Sequence, residues 1–370
     1  IRIGILLPFD IFFSRARCRS SLFSQRLSGD RSVKSDRYSR QILFPGIGKE
    51  GQEKLQASRV TVVGCGALGT SLCNLLARAG VGYLRIIDRD FVEANNLQRQ
   101  VLFDEEDAVQ ALPKAVAAAA KLQKINSEIE IDPIVTDLRA GNIESLLADS
   151  HLVLDGTDNF ETRFLINDAC VKKALPWIYG GCVGSYGMVL PVFPGETACL
   201  TCWLEDRPEP GSTATCDTAG VLNTIASTIA ALQGNEAIKF LSGNRAEIFS
   251  GLTAIDLWKN SHQTMKVPRR ADCDPCGKGI FSFLEKGEES LVTSLCGRDA
   301  VQIVPATTTL NLEELETRLE SAGEVSRNDY LLQLRLQENE LTLFPDGRAI
   351  VKGTNDPSRA RSLYAKYVGG

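Results

Sequence analysis

Two cysteine pairs, Cys199-Leu200-Thr201-Cys202 and Cys273-Asp274-Pro275-Cys276, carry the sharpest chemical signal in this sequence. Two intervening residues let both thiolates of a pair reach one ion, and two pairs complete a tetrahedron. Closed coordination leaves no position for water, so the ion expected on Cys199, Cys202, Cys273 and Cys276 is a structural Zn2+. Cys65, Cys73, Cys170 and Cys182 lie among apolar or glycine neighbours and read as packing. Cys216 differs. It closes the polar loop EDRPEPGSTATC and precedes DTAG at the start of a long helical pattern, where exposure and a helix N-terminus favour thiolate.

A second constellation surrounds a glycine turn. In TVVGCGALGTSLCNLLARAGVGYLRIIDRD, Gly64, Gly66 and Gly69, with Ala67 among them, follow a β-branched run and open an apolar helix. Backbone N–H groups and the positive helix end then face an anion. Asp88, at the tip of the next apolar run, is placed to accept hydrogen bonds from ribose hydroxyls. Taken alone, this favours an NAD-dependent oxidoreductase. The next residues favour ATP. NNLQRQ brings Asn96, Gln98 and Arg99 just past the ribose position, and Lys114 starts the following helix. Two cations suit a triphosphate better than a pyrophosphate already met by backbone amides. Asp158 and Asn159 follow a later strand, where strand ends form a ligand crevice, and Asp158 is placed to hold Mg2+ on phosphate oxygens. His151 and His262 are the only histidines, so the usual proton partner of hydride transfer is scarce; both read as structural or solvated.

The elements that must position these groups alternate. Strands are expected at 60–63, 84–87, 129–134 and 151–154, with helices at 68–79, 113–124 and 163–173. That alternation predicts a Rossmann-like α/β fold, a mostly parallel sheet with helices on both faces. A long small-residue helix is expected over 220–241, ending at Ser242-Gly243. Composition changes beyond Gly277. A strand at 300–304, a helix presenting Leu312, Leu315 and Leu319, a hairpin around FPDGR at 344–348 and a last helix capped by Asp356-Pro357 describe a small C-terminal α+β domain. The organisation expected is a disordered or over-extended leader at 1–36, a nucleotide-binding domain at 37–278, a linker at 279–294 and the α+β domain at 295–370. The Gly369-Gly370 ending reads as a flexible terminus.

The 370 residues allow two or three domains, and 41 basic against 46 acidic residues leave a net charge of −5. No global cationic field exists to hold nucleic acid or an anionic membrane. No apolar run approaches the roughly 20 residues of a bilayer span. An odd count of 11 cysteines with two C-x-x-C pairs fits a reducing compartment, hence a cytoplasmic location.

RYSRQ, GCGALG, IIDRD, NLQRQ, LPK, DGTDN, the two C-x-x-C pairs and CDTAG, in this order, resemble the ThiF/MoeB/HesA family of ubiquitin-activating-like adenylyltransferases over about residues 37–277. The resemblance implies a homodimer that binds MgATP and the Gly-Gly tail of a small ubiquitin-like sulfur carrier, adenylates that carboxylate and releases pyrophosphate. By motif match, Asp88 holds the ribose, Asn96, Arg99 and Lys114 the phosphates, and Asp158 the Mg2+. Arg40 matches an arginine finger reaching the partner's γ-phosphate, and Cys216 a cysteine of thioester or sulfur-relay chemistry. Two positions depart: Ala67 stands where glycine is frequent, and Gly156 where cysteine is common. FPDGRAIVKGTNDPSRARSLYAKYVG resembles an extension of some bacterial ThiF-type proteins and favours a ThiS-type carrier, for thiamine thiazole synthesis, over a MoaD-type carrier, for molybdopterin. No rhodanese-like extension is evident, so a separate sulfur donor, such as a cysteine desulfurase, is expected. An NAD-dependent oxidoreductase would need only the glycine turn and Asp88, and an inactive zinc-stabilised scaffold would lack the phosphate-binding cations.

Overall fold

A computed structural model describes residues 37–205, 216–285, 291–295, 299–305 and 309–369, excluding the side chains of 216, 217 and 291–295. The leader expected at 1–36 lies outside the described residues. Five strands run parallel in the order β3-β2-β1-β4-β5: β1 (Arg59–Val63), β2 (Tyr83–Ile87), β3 (Glu130–Ile134), β4 (Leu152–Asp155) and β5 (Trp177–Val183). Three antiparallel strands extend the sheet past β5: β6 (Tyr186–Val192), β7 (Leu252–Asp256) and β8 (Ser261–Met265). Side chains alternate along each buried strand. Val60 and Val62 of β1, Leu152 and Leu154 of β4 and Ile178 of β5 face one core, whereas Val63, Val153, Trp177 and Tyr179 face the other.

The short helix α1 (Ser39–Ile42) and α2 (Gly48–Gln56) precede β1, and α3 (Ala67–Ala79) follows it. The helices α4 (Glu105–Val109) and α5 (Lys114–Ile125) lead to β3, α6 (Ala140–Leu146) to β4, and α7 (Phe160–Lys172) to β5. Two single turns, α8 (Leu200–Trp203) and α9 (Cys216–Ala219), come before the long α10 (Asn223–Leu241). Helices α3, α5 and α10 bury Leu72, Leu76, Leu122 and Ile229 in the first core; α6 and α7 bury Ile143, Phe164 and Ile166 in the second. Both faces are therefore covered, as a parallel sheet requires.

Helix α10 starts three residues later than its pattern suggests, because Gly220 adopts a φ of +73° and Val221 bridges to Gly184. Strands β5 and β6 were not foreseen. Glycines at 180, 181, 184 and 187 break the period there, yet Gly180 is where the buried Gln233 amide presses on the strand.

The second sheet is antiparallel throughout, in the order β11-β12-β13-β14-β10-β9. Its strands are β9 (Leu291–Leu295), β10 (Ala300–Val304), β11 (Glu324–Arg327), β12 (Leu332–Arg335), β13 (Glu340–Leu343) and β14 (Ala349–Lys352). Strand β9 begins inside the stretch read as linker, since it pairs with β10 along its full length. Helices α11 (Leu312–Leu319) and α12 (Pro357–Tyr367) cover one face through Leu315, Leu319, Ala360 and Tyr364. The opposite face packs Ala300, Leu331, Phe344 and Ile350 on Phe91, which follows β2. No described helix is long and apolar enough to cross a membrane.

One buried carboxyl on α7 has a pH consequence. Asp168 accepts the Phe283 N–H at 2.9 Å through Oδ2, its Oδ1 has no hydrogen-bond partner, and Phe283 stacks on Phe164. Burial pushes the Asp168 carboxyl up to about 6. A native value above the unfolded one, about 3.9, makes a contribution present at low pH and lost as pH rises through 6. Asp168→Asn keeps an acceptor for Phe283 and removes the charge. We expect its stability relative to wild type to change little below pH 4 and to rise, by at most about 3 kcal/mol, towards pH 7. Denaturant unfolding across that range checks this; a pH-independent difference contradicts it.

Candidate active site

The sheet changes direction of growth between β1 and β4, and their C-terminal ends open a crevice there. Backbone packs unusually close at this point. Gly64 has a φ of +88° and donates its N–H to the Ile87 carbonyl at 2.7 Å. A Cβ on Gly156 would lie 2.5 Å from the Gly64 carbonyl oxygen, and one on Gly69 would overlap the same oxygen. A side chain at 156 would therefore require this backbone to shift. Around Gly66, the residue capping α3, no atom of the described residues comes within 4 Å of a Cβ position, so space is open beside the start of α3. Ala67 is its first helical residue.

Asp88 is tied down at the tip of β2. Its Oδ2 accepts the Cys65 N–H at 2.6 Å and its Oδ1 the Asp90 N–H at 2.7 Å. A carboxylate has about four acceptor positions, so capacity remains for hydroxyl donors. Burial raises this carboxyl above the ordinary range, and Lys114 opposes the rise. Lys114 is only 4% exposed and places Nζ 3.2 Å from Asp90 Oδ2, while its N–H donates to the Asp90 carbonyl. Asp88, Asp90 and Lys114 thus form one charged wall.

The NNLQRQ stretch forms a tight turn beside that wall. Asn96 is buried; its Oδ1 accepts the Glu93 N–H at 3.2 Å and its Nδ2 donates to Asn95 Oδ1, so its amide serves the turn itself. Gln98 is exposed, and Arg99 is half-buried with Nη1 on the Asn95 carbonyl at 2.8 Å.

Opposite stands the DGTDN loop. Asp155 is fully buried and meets Arg163 Nε at 3.1 Å, and Arg163 Nη2 donates to the Thr157 carbonyl at 2.6 Å. Gln233 of α10 donates to the Asp155 carbonyl at 2.9 Å. Asp158 is left exposed at the mouth, near enough to Arg89 and Arg163 to favour their charged forms. Asn159 caps α7 by accepting the Thr162 N–H. Arg89, Asp90, Asp155 and Arg163 escaped the sequence reading. Asp155 and Arg163 are eight residues apart, outside the i,i+4 spacing that signals a pair.

Arg40 is placed elsewhere. Gln41 donates to the Ala79 carbonyl at 2.9 Å, and Asn126 joins the Tyr38 hydroxyl to the Ala77 carbonyl. These bonds fix α1 at the C-terminal end of α3, whereas the glycine turn is at its other end. Thirteen helical residues separate the two, about 20 Å. The side chain of Cys216 lies outside the described residues. His151 accepts the Arg59 N–H at the far end of β4, and His262 is exposed on β8.

The four cysteines converge. All four sulfurs lie within 4.8 Å of one another, with Cys199 to Cys273 at 3.6 Å, Cys199 to Cys202 at 3.9 Å and Cys202 to Cys276 at 3.3 Å. A tetrahedral thiolate site with metal–sulfur bonds of about 2.3 Å has sulfurs about 3.8 Å apart, so this donor set fits one ion. Asn167 Oδ1 accepts the Leu200 N–H at 2.9 Å, and the Arg270 N–H points at Cys202 Sγ. Such bonds orient ligands.

Comparison with known proteins agrees with this geometry. The family model described as "ThiF family" matches residues 38–276. A sulfur carrier protein ThiS adenylyltransferase of Bacillus subtilis is 44% identical over 337 residues, which is 90% of this chain and 99% of that protein; the likeness therefore extends into the second sheet. A SAMP-activating enzyme E1 of Haloferax volcanii is 36% identical over 68% of this chain and 92% of its own length. Among solved structures, E. coli MccB with ATP superposes with a TM-score of 0.59 at 25% identity, covering 66% of this chain and 75% of that one. With the glycine turn, Asp88 at the strand end, the buried lysine and the cysteine quartet on one scaffold, and a family match over residues 38–276, this protein is a member of the ThiF family.

Proposed function

We propose that this protein adenylates the C-terminal Gly-Gly carboxylate of a small ubiquitin-like sulfur carrier, ThiS-type in preference to MoaD-type, with MgATP as co-substrate and pyrophosphate released. The observation that carries the reading is the convergence of the open α3 N-terminus, Asp88 and Lys114 on one crevice. The 44% identity to the Bacillus subtilis ThiS adenylyltransferase, extending beyond the first sheet, favours the ThiS-type carrier.

The chain's residues divide the work by charge. Asp88 receives ribose hydroxyls on its remaining acceptor positions. The α3 N-terminus, Lys114 and Arg99 stabilise negative charge as it builds on the attacked α-phosphate and the departing pyrophosphate. Mg2+ at Asp158 supplies further neutralisation of phosphate oxygens. Arg40 serves the neighbouring subunit, because α1 holds it about 20 Å from its own glycine turn. Exposed Leu43 and Phe44 beside it, at 69% and 62%, suit a homodimer contact. The cysteine quartet holds Zn2+ and clamps the segment after β6 to the one after β8. Cys216 acts after adenylation, towards a thioester or sulfur relay fed by a separate donor. Abundant thiols fit a cytoplasmic protein.

ATP–pyrophosphate exchange, dependent on added ThiS-type or MoaD-type carrier, tests the reaction. Asp158→Ala is expected to lower exchange at least about a hundredfold with the fold retained. Tight NAD binding without ATP binding would point to an oxidoreductase instead. Arg40→Ala should also lose exchange, and mixing it with Asp158→Ala chains should restore up to about a quarter of the sites, since each random heterodimer has one site with neither defect. Absence of recovery in a verified heterodimer would put Arg40 in its own subunit's site or outside catalysis.

One zinc per chain should be found by elemental analysis. Cys273→Ser should lose the ion and melt at lower temperature, because a closed thiolate site contributes directly to folding. Full occupancy in that variant would remove Cys273 from the ligand set.

A further inference from the structure

Among the described residues, the second sheet meets the first part of the chain at the loops that wall the crevice. Arg348, at the end of the FPDGR hairpin between β13 and β14, donates from Nη2 to the Arg89 carbonyl at 2.7 Å. Arg89 stands between Asp88 and Asp90. Lys352 pairs with Glu93 at 2.9 Å, and Glu93 caps the turn that leads to Gln98 and Arg99. Asn328 donates to the Gln110 carbonyl at 2.9 Å, just ahead of Lys114. Gln302 donates to Asp137, whose other oxygen takes Arg89 Nη1 at 2.8 Å.

Arg348 is a poor device for stability alone. It is 1% exposed, its Nε and Nη1 have no hydrogen-bond partner among the described residues, and the Asp346 carboxylate lies 3.9 Å away. A buried guanidinium so weakly paired is costly, and an apolar residue of similar volume would pack there at less expense. The hairpin that presents it is nevertheless firmly set. Phe344 donates its N–H to the Arg348 carbonyl at 2.9 Å, the Tyr364 hydroxyl donates to the Gly347 carbonyl at 2.8 Å, and the Arg348 guanidinium lies 3.6 Å above the Phe344 ring. Burial disfavours the charge on Arg348, whereas Asp346, Asp90 and Asp137 favour it and Arg89 opposes it. A fixed cation is thus delivered to the backbone of the turn that aims Asp88 and Asp90.

We propose that the second sheet forms a working wall of the nucleotide crevice and that Arg348 is a positioning residue, holding the Asp88-Arg89-Asp90 turn and, through Asp90, Lys114. This rests on the reading of that crevice as an ATP site. Arg348 touches no substrate in this scheme. It acts through the Arg89 carbonyl, so its loss lets the turn relax and misplaces the ribose acceptor and the lysine together.

Equilibrium binding of MgATP alone, with no carrier present, tests the proposal on the full chain. Arg348→Met keeps the volume and removes the donor; its MgATP affinity should fall about tenfold, the order expected for one lost hydrogen bond to a key turn. Arg348→Lys, which restores a cation able to reach the Arg89 carbonyl, should recover to within about threefold of wild type. A purely structural Arg348 would leave the affinity of the folded Met variant unchanged well below its melting temperature, and that result overturns the proposal. Equal losses in the Met and Lys variants would also overturn it. If Arg348→Met fails to fold, half-exposed Lys352→Met carries the test. About threefold weaker binding supports the wall, and unchanged binding overturns it. Wild-type protein that binds no MgATP would instead count against the ATP reading itself.

Discussion

The close backbone contact at Gly64, Gly69 and Gly156 is the constraint on which the rest of the molecule depends. It lets the end of β1, the end of β4 and the start of α3 meet with no side chain among them. Any Cβ at 69 or 156 would push the Gly64 carbonyl outward and drive the strand ends apart. Because the glycines occupy so little volume, the start of α3 lies close against the ends of β1 and β4, with space open beside Gly66. The anion site is thus a consequence of how tightly the sheet and α3 pack, and the 3-2-1-4-5 strand order puts it where two crossover directions diverge.

Around that contact the walls are held by ion pairs whose cations are buried. Asp155 with Arg163 fixes the DGTDN loop on one side, and Asp90 with Lys114 fixes the other. Exposed pairs contribute little to stability, and buried ones scarcely more than apolar residues of the same size. Their effect is geometric. Breaking either pair leaves an uncompensated buried charge, so both loops are confined to one arrangement. In the proposed reaction, a phosphate held by Lys114 would share it with Asp90.

Much of this was legible in the sequence, for identifiable reasons. The βαβ period from Val60 to Ile87, the glycine spacing and the two C-x-x-C pairs are local patterns, and the structure reproduces each of them. What escaped is non-local. The Asp155–Arg163 pair and the Arg348 contact with Arg89 join residues with no spacing rule between them. Strands β5 and β6 were hidden because Gly180, Gly181, Gly184 and Gly187 accommodate Gln233, Ile229 and a chain reversal in place of a regular apolar face. Asn96 illustrates a subtler case. Its position after the ribose acid suggested phosphate binding, yet its amide is engaged in the turn that carries Arg99. Its observed bonds shape the turn.

The distribution of titratable groups also bears on the chemistry. Neither histidine is near the crevice; among the described residues the carboxyls at the strand ends, Asp88, Asp90 and Asp155, already accept N–H groups or pair with cations, and Asp158 is exposed at the mouth. A reaction that removed a proton from a neutral alcohol or amine would need one of these carboxyls as its base. A C-terminal carboxylate poses no such demand. With a pKa of about 3.5 it arrives ionised at neutral pH, and its attack on phosphate creates negative charge without transferring a proton. The requirement on the protein is then to exclude misalignment and to offer positive potential at fixed points. Those are the properties that a glycine-packed helix terminus, a buried lysine and an arginine-braced turn provide.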